Sequence, residues 1–257
     1  MTRIDEKRVL ITGASSGIGA ACARRFAREG VDVILWARRL DRLQQLAREL
    51  QMAGAGDVRI QQVDVRDRAA VNAAAASLVE EGAIPHIIIN NAGLAAGFDF
   101  VQDGDPEDWD RMIDTNVKGL LNVTRSLLPS LIRLGRGHII NIGSTAGHMM
   151  YPRGNVYAAT KYAVRALTEG INLDVQGTPI RVSSIDPGFV ETEFSVVRFG
   201  GDRERADRVY EGFRPLSGDD VSDAVLYVAA LPEHVNILDL VVVPTAQRNV
   251  YVVDRKG

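Results

Sequence analysis

The stretch LITGASSGIGAACARRF, residues 10–26, runs from apolar residues through a glycine-rich turn into a helical pattern. Gly13, Gly17 and Gly19 form G-x-x-x-G-x-G. Glycines spaced this way let the backbone turn tightly and approach a pyrophosphate, while the helix start presents free N–H groups to it. Ser15 and Ser16 add hydroxyl donors. No Gly-Lys-Ser/Thr follows, which excludes a P-loop. An ordinary strand-to-helix turn could use the same residues, so its surroundings decide.

Those surroundings alternate. Short runs rich in Val and Ile at 8–13, 32–37, 58–65, 84–93, 137–144, 180–188 and 238–244 read as strands. Their near-continuous apolar character suits a sheet buried on both faces. Helical patterns lie between them at about 17–29, 40–53, 67–81, 106–134, 155–176 and 219–230. The fourth has clear ends: Asp105 as N-cap, Pro106 at N1, Glu107 and Asp108 in the first turn, and Gly135 as the stop. The acidic run there lacks EF-hand spacing and reads as a helix start. Strand–helix alternation throughout predicts an α/β chain, one doubly wound parallel sheet in a single domain over residues 1–257.

Composition narrows the class. The single cysteine, Cys22, rules out an internal disulfide and suits a reducing compartment. The N-terminus has no signal-like apolar run, and no stretch reaches the ~18 apolar residues of a membrane span, so a cytoplasmic location is expected. A formal charge of −3 gives no case for nucleic acid or an anionic membrane. The histidines His86, His138, His148 and His234 are scattered without ligand spacing, so no metal is expected. His86 and His138 fall in strands and read as structural. His148, just past Ser144, is a candidate lining residue, and Met149 and Met150 beside it read as pocket wall or subunit contact.

The second strand ends LWARRLDRL, residues 35–43. A site for NAD usually places an acid ~20 residues beyond the glycines, for the ribose 2′-hydroxyl. Here Arg38 and Arg39 stand instead, and a guanidinium pair suits a 2′-phosphate, which points to NADP(H). In GNVYAATKYAVRAL, residues 154–167, Tyr157 and Lys161 are four apart and so neighbours on a helix face. A close ammonium favours the tyrosinate, which would make Tyr157 an acid/base usable near neutral pH.

With TGASSGIG (12–19), DV (64–65), NNAG (90–93), Asn116 in NVKG, Ser144 in IGS, YAATK (157–161) and DPG (186–188), the chain resembles the short-chain dehydrogenase/reductase family in order and spacing. The stretches GHIINIGSTAG, GNVYAATK, EFSVVRF and PEHVNI…PTAQ resemble its NADP-dependent 3-hydroxy acid dehydrogenases, which also oxidise serine and allo-threonine. The resemblance implies a Rossmann sheet of about seven strands and a homotetramer. It implies Tyr157 as acid/base, Lys161 as its pKa-lowering partner, Ser144 to position the substrate oxygen, and Asn116 to anchor a proton relay. It further implies that the cofactor lies against Gly13, Ala14, Ser15, Ser16, Gly17, Ile18, Arg38, Arg39, Asp64, Val65, Asn91, Tyr157 and Lys161, with Pro187, Gly188, Val190 and Thr192 flanking the nicotinamide. For the homotetramer, apolar residues on more than one face of the 106–134 helix (Leu120, Leu121, Val123, Leu127, Leu128, Leu131) offer physical support.

The segment at about 189–214 follows the DPG strand and carries Gly200–Gly201, so it reads as a hinged substrate lid. A small hydroxy acid offers a carboxylate that an arginine can grip bidentately. Arg198 is the first candidate and Arg153, in the loop before Tyr157, the second. Two rivals are a reductase of another small acidic aldehyde such as sulfoacetaldehyde, and a non-catalytic cofactor sensor. The second would tend to lose Ser144, Tyr157 or Lys161, and all three are present.

Overall fold

In the computed structural model, which describes Ile4 and residues 7–256, the first strand β1 (Arg8–Thr12) lies at the centre of the molecule. The chain continues through α1 (Gly17–Ala27), β2 (Asp32–Ala37), α2 (Leu40–Met52), β3 (Val58–Gln62), α3 (Arg68–Glu80) and β4 (Ile87–Asn90). Then come α4 (Pro106–Ile113), α5 (Leu120–Leu134), β5 (Gly137–Ile142), α6 (Asn155–Asp174) and β6 (Ile180–Pro187). The chain closes with α7 (Glu193–Arg198), α8 (Arg203–Arg208), α9 (Gly218–Ala229) and β7 (Asp239–Val242). The strands form one seven-stranded parallel sheet in the order β3-β2-β1-β4-β5-β6-β7. This is the single-domain doubly wound Rossmann arrangement expected. After β3 the chain returns to the far side of β1, and ligands bind in the crevice beyond the strand ends at such a reversal.

Strand periodicity assigns each face. Val9, Ile11, Val33 and Leu35 point to the layer that holds Phe26 of α1, Leu43 of α2 and Val225 of α9. Leu10 and Ile34 point the other way, to Leu78 of α3, Leu127 and Leu131 of α5 and Val164 of α6. Successive side chains on opposite faces, both covered by helices, are why these strands read as unbroken apolar runs.

Two expectations need correction. The pattern at 106–134 is not one helix. Between α4 and α5 the residues Asp114–Gly119 widen into a π-helical turn. Gly119 there packs so closely on Val65 that a Cβ would lie 2.6 Å from its Cγ2, and Asn116 turns its amide onto the backbone of Leu94. Such widened turns recur at functional sites. The six apolar residues cited for a second helix face also mostly meet the core. Leu120, Val123, Leu127 and Leu131 are buried, Leu128 packs against the same cluster, and only Leu121 is exposed. The exposed large apolar residues on these helices are Ile113 of α4, Leu121, Ile132 and Leu134 of α5, and Tyr162 and Leu173 of α6. The outer ends of this pattern follow sequence chemistry: Asp105 caps α4, accepting from the Glu107 N–H at 2.9 Å, and Gly135 ends α5 in the left-handed region.

Leu127 is fully buried between α5 and the sheet. Leu127→Ala should cost about 2–5 kcal/mol of unfolding free energy, measured by urea denaturation at unchanged m. A loss under about 1 kcal/mol would contradict this packing.

Candidate active site

The crevice begins where β1 ends. Gly13 and Gly17 take left-handed φ values of 65° and 54°. A Cβ on Gly13 would lie 2.9 Å from the Cα of Ala92, and one on Gly19 would lie 2.5 Å from Nδ2 of Asn91. That amide donates to the carbonyls of Thr12 (2.9 Å) and Gly13 (3.3 Å). Asn91, expected to hold cofactor, therefore spends its side chain on the turn itself. Ala14 is buried, its N–H donating to the Trp36 carbonyl at 3.3 Å, and Ile18 packs on the core. Ser16 begins α1 without a side-chain cap, so the first N–H groups of the helix have no side-chain partner there.

Arg39 arches over this turn. Its Nη2 donates to Ser15 Oγ (3.0 Å) and Ser16 Oγ (2.7 Å), and its Nη1 pairs with Glu193 Oε2 at 3.1 Å. Arg42 pairs with the same carboxylate at 2.6 Å. Sequence reading missed Arg42 and Glu193, although Arg42 follows Arg39 by three and so shares its helix face. Arg38 is exposed, its carbonyl accepting from Gln62 Nε2 at 2.9 Å. Across the groove, burial works to raise the Asp64 carboxyl, but hydrogen bonds from Arg66 outweigh it and hold the group below its ordinary value. Val65 is buried, and its carbonyl accepts from Asn122 Nδ2 at 2.9 Å.

At the far end, Gly188 follows Pro187 beneath Gln247, where a Cβ would fall on the buried Gln247 amide. Gln247 Oε1 accepts from the Phe189 N–H at 3.0 Å. Its role was missed, though it lies in the PTAQ stretch that carried part of the resemblance. Val190 bridges to Leu216, and Thr192 caps α7 through the Phe194 N–H. The segment read as a lid thus contains two short helices, each capped by its own first side chain, Thr192 for α7 and Asp202 for α8.

Asn116, Ser144, Tyr157 and Lys161 come together at the mouth of β4 and β5. Asn116 donates to the Leu94 carbonyl (2.8 Å) and to Thr160 Oγ1 (3.0 Å), which donates to the Tyr157 carbonyl (2.7 Å). A Cβ at Gly93 would stand 3.2 Å from Asn116 Oδ1 and 3.8 Å from Lys161 Nζ, so this glycine keeps the space between them open. Ser144 Oγ accepts from the Ala146 N–H at 3.1 Å and starts a short turn, Thr145–Gly147. Lys161 Nζ donates to the Ile142 carbonyl at 2.8 Å and lies 5.9 Å from the Tyr157 ring centre.

Burial overturns the simple charge argument. Desolvation pushes the Tyr157 phenol well above its usual value, and the groups drawing it back are the Ser144 hydroxyl and the Arg198 charge, not Lys161. Lys161 is itself lowered to about 8 by burial, with Asp186 opposing. Spacing one turn apart placed the ammonium 5.9 Å from the ring centre and against the Ile142 carbonyl.

Arg198 and Arg153 line the cleft beside Tyr157, together with Trp109 and Met112. Arg198 lies over Phe98 (4.7 Å), Tyr151 (5.5 Å) and Tyr157 (5.6 Å), and its Nε donates to the Gly97 carbonyl. Arg153, in the left-handed region at φ 63°, lies 4.7 Å from the Phe100 ring centre. Asp99, Asp105 and Asp108 border the same cleft. His86 and His138 are structural as read: His86 Nδ1 accepts from the Arg8 N–H (2.9 Å), and His138 Nε2 meets Ser183 Oγ (2.7 Å). His148 is not scattered. Its Nε2, Asp186 and Asp239 gather within 4.8 Å of one another, with Nε2 and Asp186 Oδ2 2.5 Å apart.

A parallel doubly wound sheet, a glycine turn at its reversal and a buried Tyr–Lys–Ser–Asn cluster define a dinucleotide-type oxidoreductase site. Residues 7–199 match the short chain dehydrogenase family, and the chain belongs to that family. It is 47% identical over 240 residues to NADP-dependent 3-hydroxy acid dehydrogenase YdfG of Escherichia coli, covering 93% of this chain and 95% of that one. It is 46% identical over 249 residues to sulfoacetaldehyde reductase 2 of Chromohalobacter salexigens, covering 96% and 98%. The structure described as the closed form of serine dehydrogenase complexed with NADP+ superposes with a TM-score of 0.91 at 45% identity, covering 97% of this chain and 100% of that one.

Lys161 gives a pH test. A buried lysine lowered to about 8 holds fewer protons in the folded than the unfolded chain between that value and 10.5. Stability of the native protein therefore gains with pH through that window, while the burial penalty is fully present below it. Lys161→Met lacks this contribution, so wild type minus variant stability should be flat below pH 8 and rise from there towards pH 10.5. Denaturant titrations across that range check it; a flat difference would mean that the ammonium is not desolvated.

Proposed function

We propose that the protein transfers a hydride between NADP(H) and the hydroxyl or carbonyl carbon of a small 3-hydroxy acid, of the 3-hydroxypropionate, serine or allo-threonine type. The observation that carries this reading is the convergence of Tyr157 and the Arg198 guanidinium on one cleft, with the Ser144 hydroxyl bonded to the Tyr157 phenol. The relatives named for 3-hydroxy acids and serine support it. The dinucleotide fits the residues present: Gly13 and Gly17 free the backbone, the uncapped start of α1 offers N–H groups, and Arg39 with Arg42 stands where a 2′-phosphate needs cations. Arg38, Asp64 and Val65 would border the same cofactor groove, and Pro187, Gly188, Val190 and Thr192 its other end.

Bound nicotinamide would supply the hydride acceptor or donor. Tyr157 then exchanges the hydroxyl proton as general acid/base, and Ser144 donates to the developing alkoxide. Burial raises the phenol further, so at neutral pH Tyr157 is a proton donor to a substrate carbonyl oxygen. Asn116 fixes the backbone of Tyr157 through Thr160. Arg198, assisted by Arg153, would grip the substrate's acid group. The segment 189–214 would close over it as a lid. A homotetramer in the cytoplasm completes the proposal, supported by the exposed apolar residues of α5 and α6. Among the described residues no helix is long and apolar enough to cross a membrane. Reduction of sulfoacetaldehyde or a like aldehyde is the second reading; the 46% identical relative favours it, and a guanidinium grips sulfonate as readily as carboxylate. A panel of carboxylate and sulfonate substrates with NADPH and NADH decides between them.

Tyr157→Phe should lower turnover by ~10²–10⁴-fold or more while NADPH still binds, read by nucleotide fluorescence. Near-wild-type turnover would remove Tyr157 from the mechanism. Arg198→Met should raise KM for 3-hydroxy acids by about tenfold or more, the loss of a charge-assisted hydrogen bond, yet leave KM for neutral alcohols of like size little changed. Equal KM changes on both substrate types would make Arg198 a support of the loop and not the reader of the acid.

A further inference from the structure

One chain of polar contacts runs directly behind the reacting residues and takes no part in the steps above. His148 follows the short turn Thr145–Gly147 that Ser144 begins. Its Nε2 meets Asp186 Oδ2 at 2.5 Å and lies 3.7 Å from Asp239 Oδ2. Asp186, on β6, has a side chain only 2% exposed, and its Oδ1 accepts from the Ser184 hydroxyl at 2.6 Å. Asp239 opens β7 beside it and is partly open to solvent. Gly143, the residue before Ser144, has no room for a Cβ because the Asp186 carboxylate lies there. The chain thus touches the catalytic turn at both of its ends, Gly143 and His148.

A carboxylate this buried needs compensation, and two of them side by side need more. The groups that face the pair are His148 from the turn, Ser184 from β6, and Tyr157, Lys161 and Arg165 from α6. His148 is the one basic group within hydrogen-bond reach of Asp186 among the described residues. The negative charge of Asp186 opposes ionisation of Tyr157 and favours the ammonium of Lys161. Desolvation and Asp186 together push the Asp239 carboxyl up to about 6.

We propose that His148, Asp186 and Asp239 are positioning residues for the reaction, seating the Ser144 turn on the sheet and setting the charge felt by Tyr157 and Lys161. The inference rests on the reading of Tyr157 as proton carrier. His148→Gln keeps a donor to Asp186 and so should keep the Ser144 turn seated. Asp186→Asn removes the charge that opposes ionisation of Tyr157, so the phenol ionises more readily. Asp239→Asn removes the second carboxylate beside His148.

The test is the pH profile of kcat for alcohol oxidation, with folding of each variant checked by NADPH fluorescence titration. The rising limb should move down by about half a pH unit or more in Asp186→Asn, the scale of one charge several ångströms away. Loss of activity at all pH values with an unmoved limb would make the cluster a structural brace and overturn the proposal, as would wild-type behaviour. Should Asp186→Asn not fold, Asp239→Asn carries the test: a limb moved down by removal of this neighbouring carboxylate supports the proposal, and an unchanged profile overturns it. Turnover in Tyr157→Phe would bring down the underlying reading, whereas an inactive Tyr157→Phe with unmoved limbs overturns this inference alone.

Discussion

The amide of Asn91 is the pin on which the site depends. By donating to the carbonyls of Thr12 and Gly13 it ties the end of β4 to the end of β1, where the winding of the sheet reverses. With that pin in place there is no room for side chains at positions 13 and 19, so the chain must turn through glycine and enter α1 pointing at the crevice. Every other element of the site is placed relative to this corner. β5 lies against β4 in register, Asn90 opposite Asn141, and so delivers Ser144 two residues beyond its end. The widened turn before α5 brings Asn116 back to Leu94 on the same side.

The second governing constraint is desolvation. Tyr157 and Lys161 are both buried in a helix face turned towards the sheet. Taking a charge out of water is costly enough that burial, and not their mutual distance, dominates both groups. The cations that remain accessible, Arg198 and Arg153, stand at the open side of the cleft on aromatic faces.

Much of this was legible in the residues. Alternating apolar runs gave the sheet, because a strand covered on both sides leaves a continuous signature that an amphipathic helix does not. The glycines at 13, 17 and 19 and the four-residue step from Tyr157 to Lys161 located the site. The π-helical turn was not legible, since its cause is a pair of contacts, Gly119 on Val65 and Asn116 on Leu94, made by distant segments. Glu193, Gln247, Asp186 and Asp239 were missed for the same reason: each acts on a partner at least 38 residues away, in the case of Asp186 and His148, and farther in the others. Charge arguments from spacing failed at Tyr157 because sequence carries distance along a helix but not depth beneath a surface.

Arg153 holds a left-handed conformation that costs a residue with a side chain of order 1–3 kcal/mol. Its guanidinium rests on Phe100, and that of Arg198 on Phe98 and Tyr151. Both cations are therefore immobilised before any anion arrives. Ordering a long side chain at a binding site ordinarily takes about 0.5–1.5 kcal/mol from affinity. Here the aromatic faces supply part of that ordering on folding, so a ligand of few atoms meets cations that are already placed.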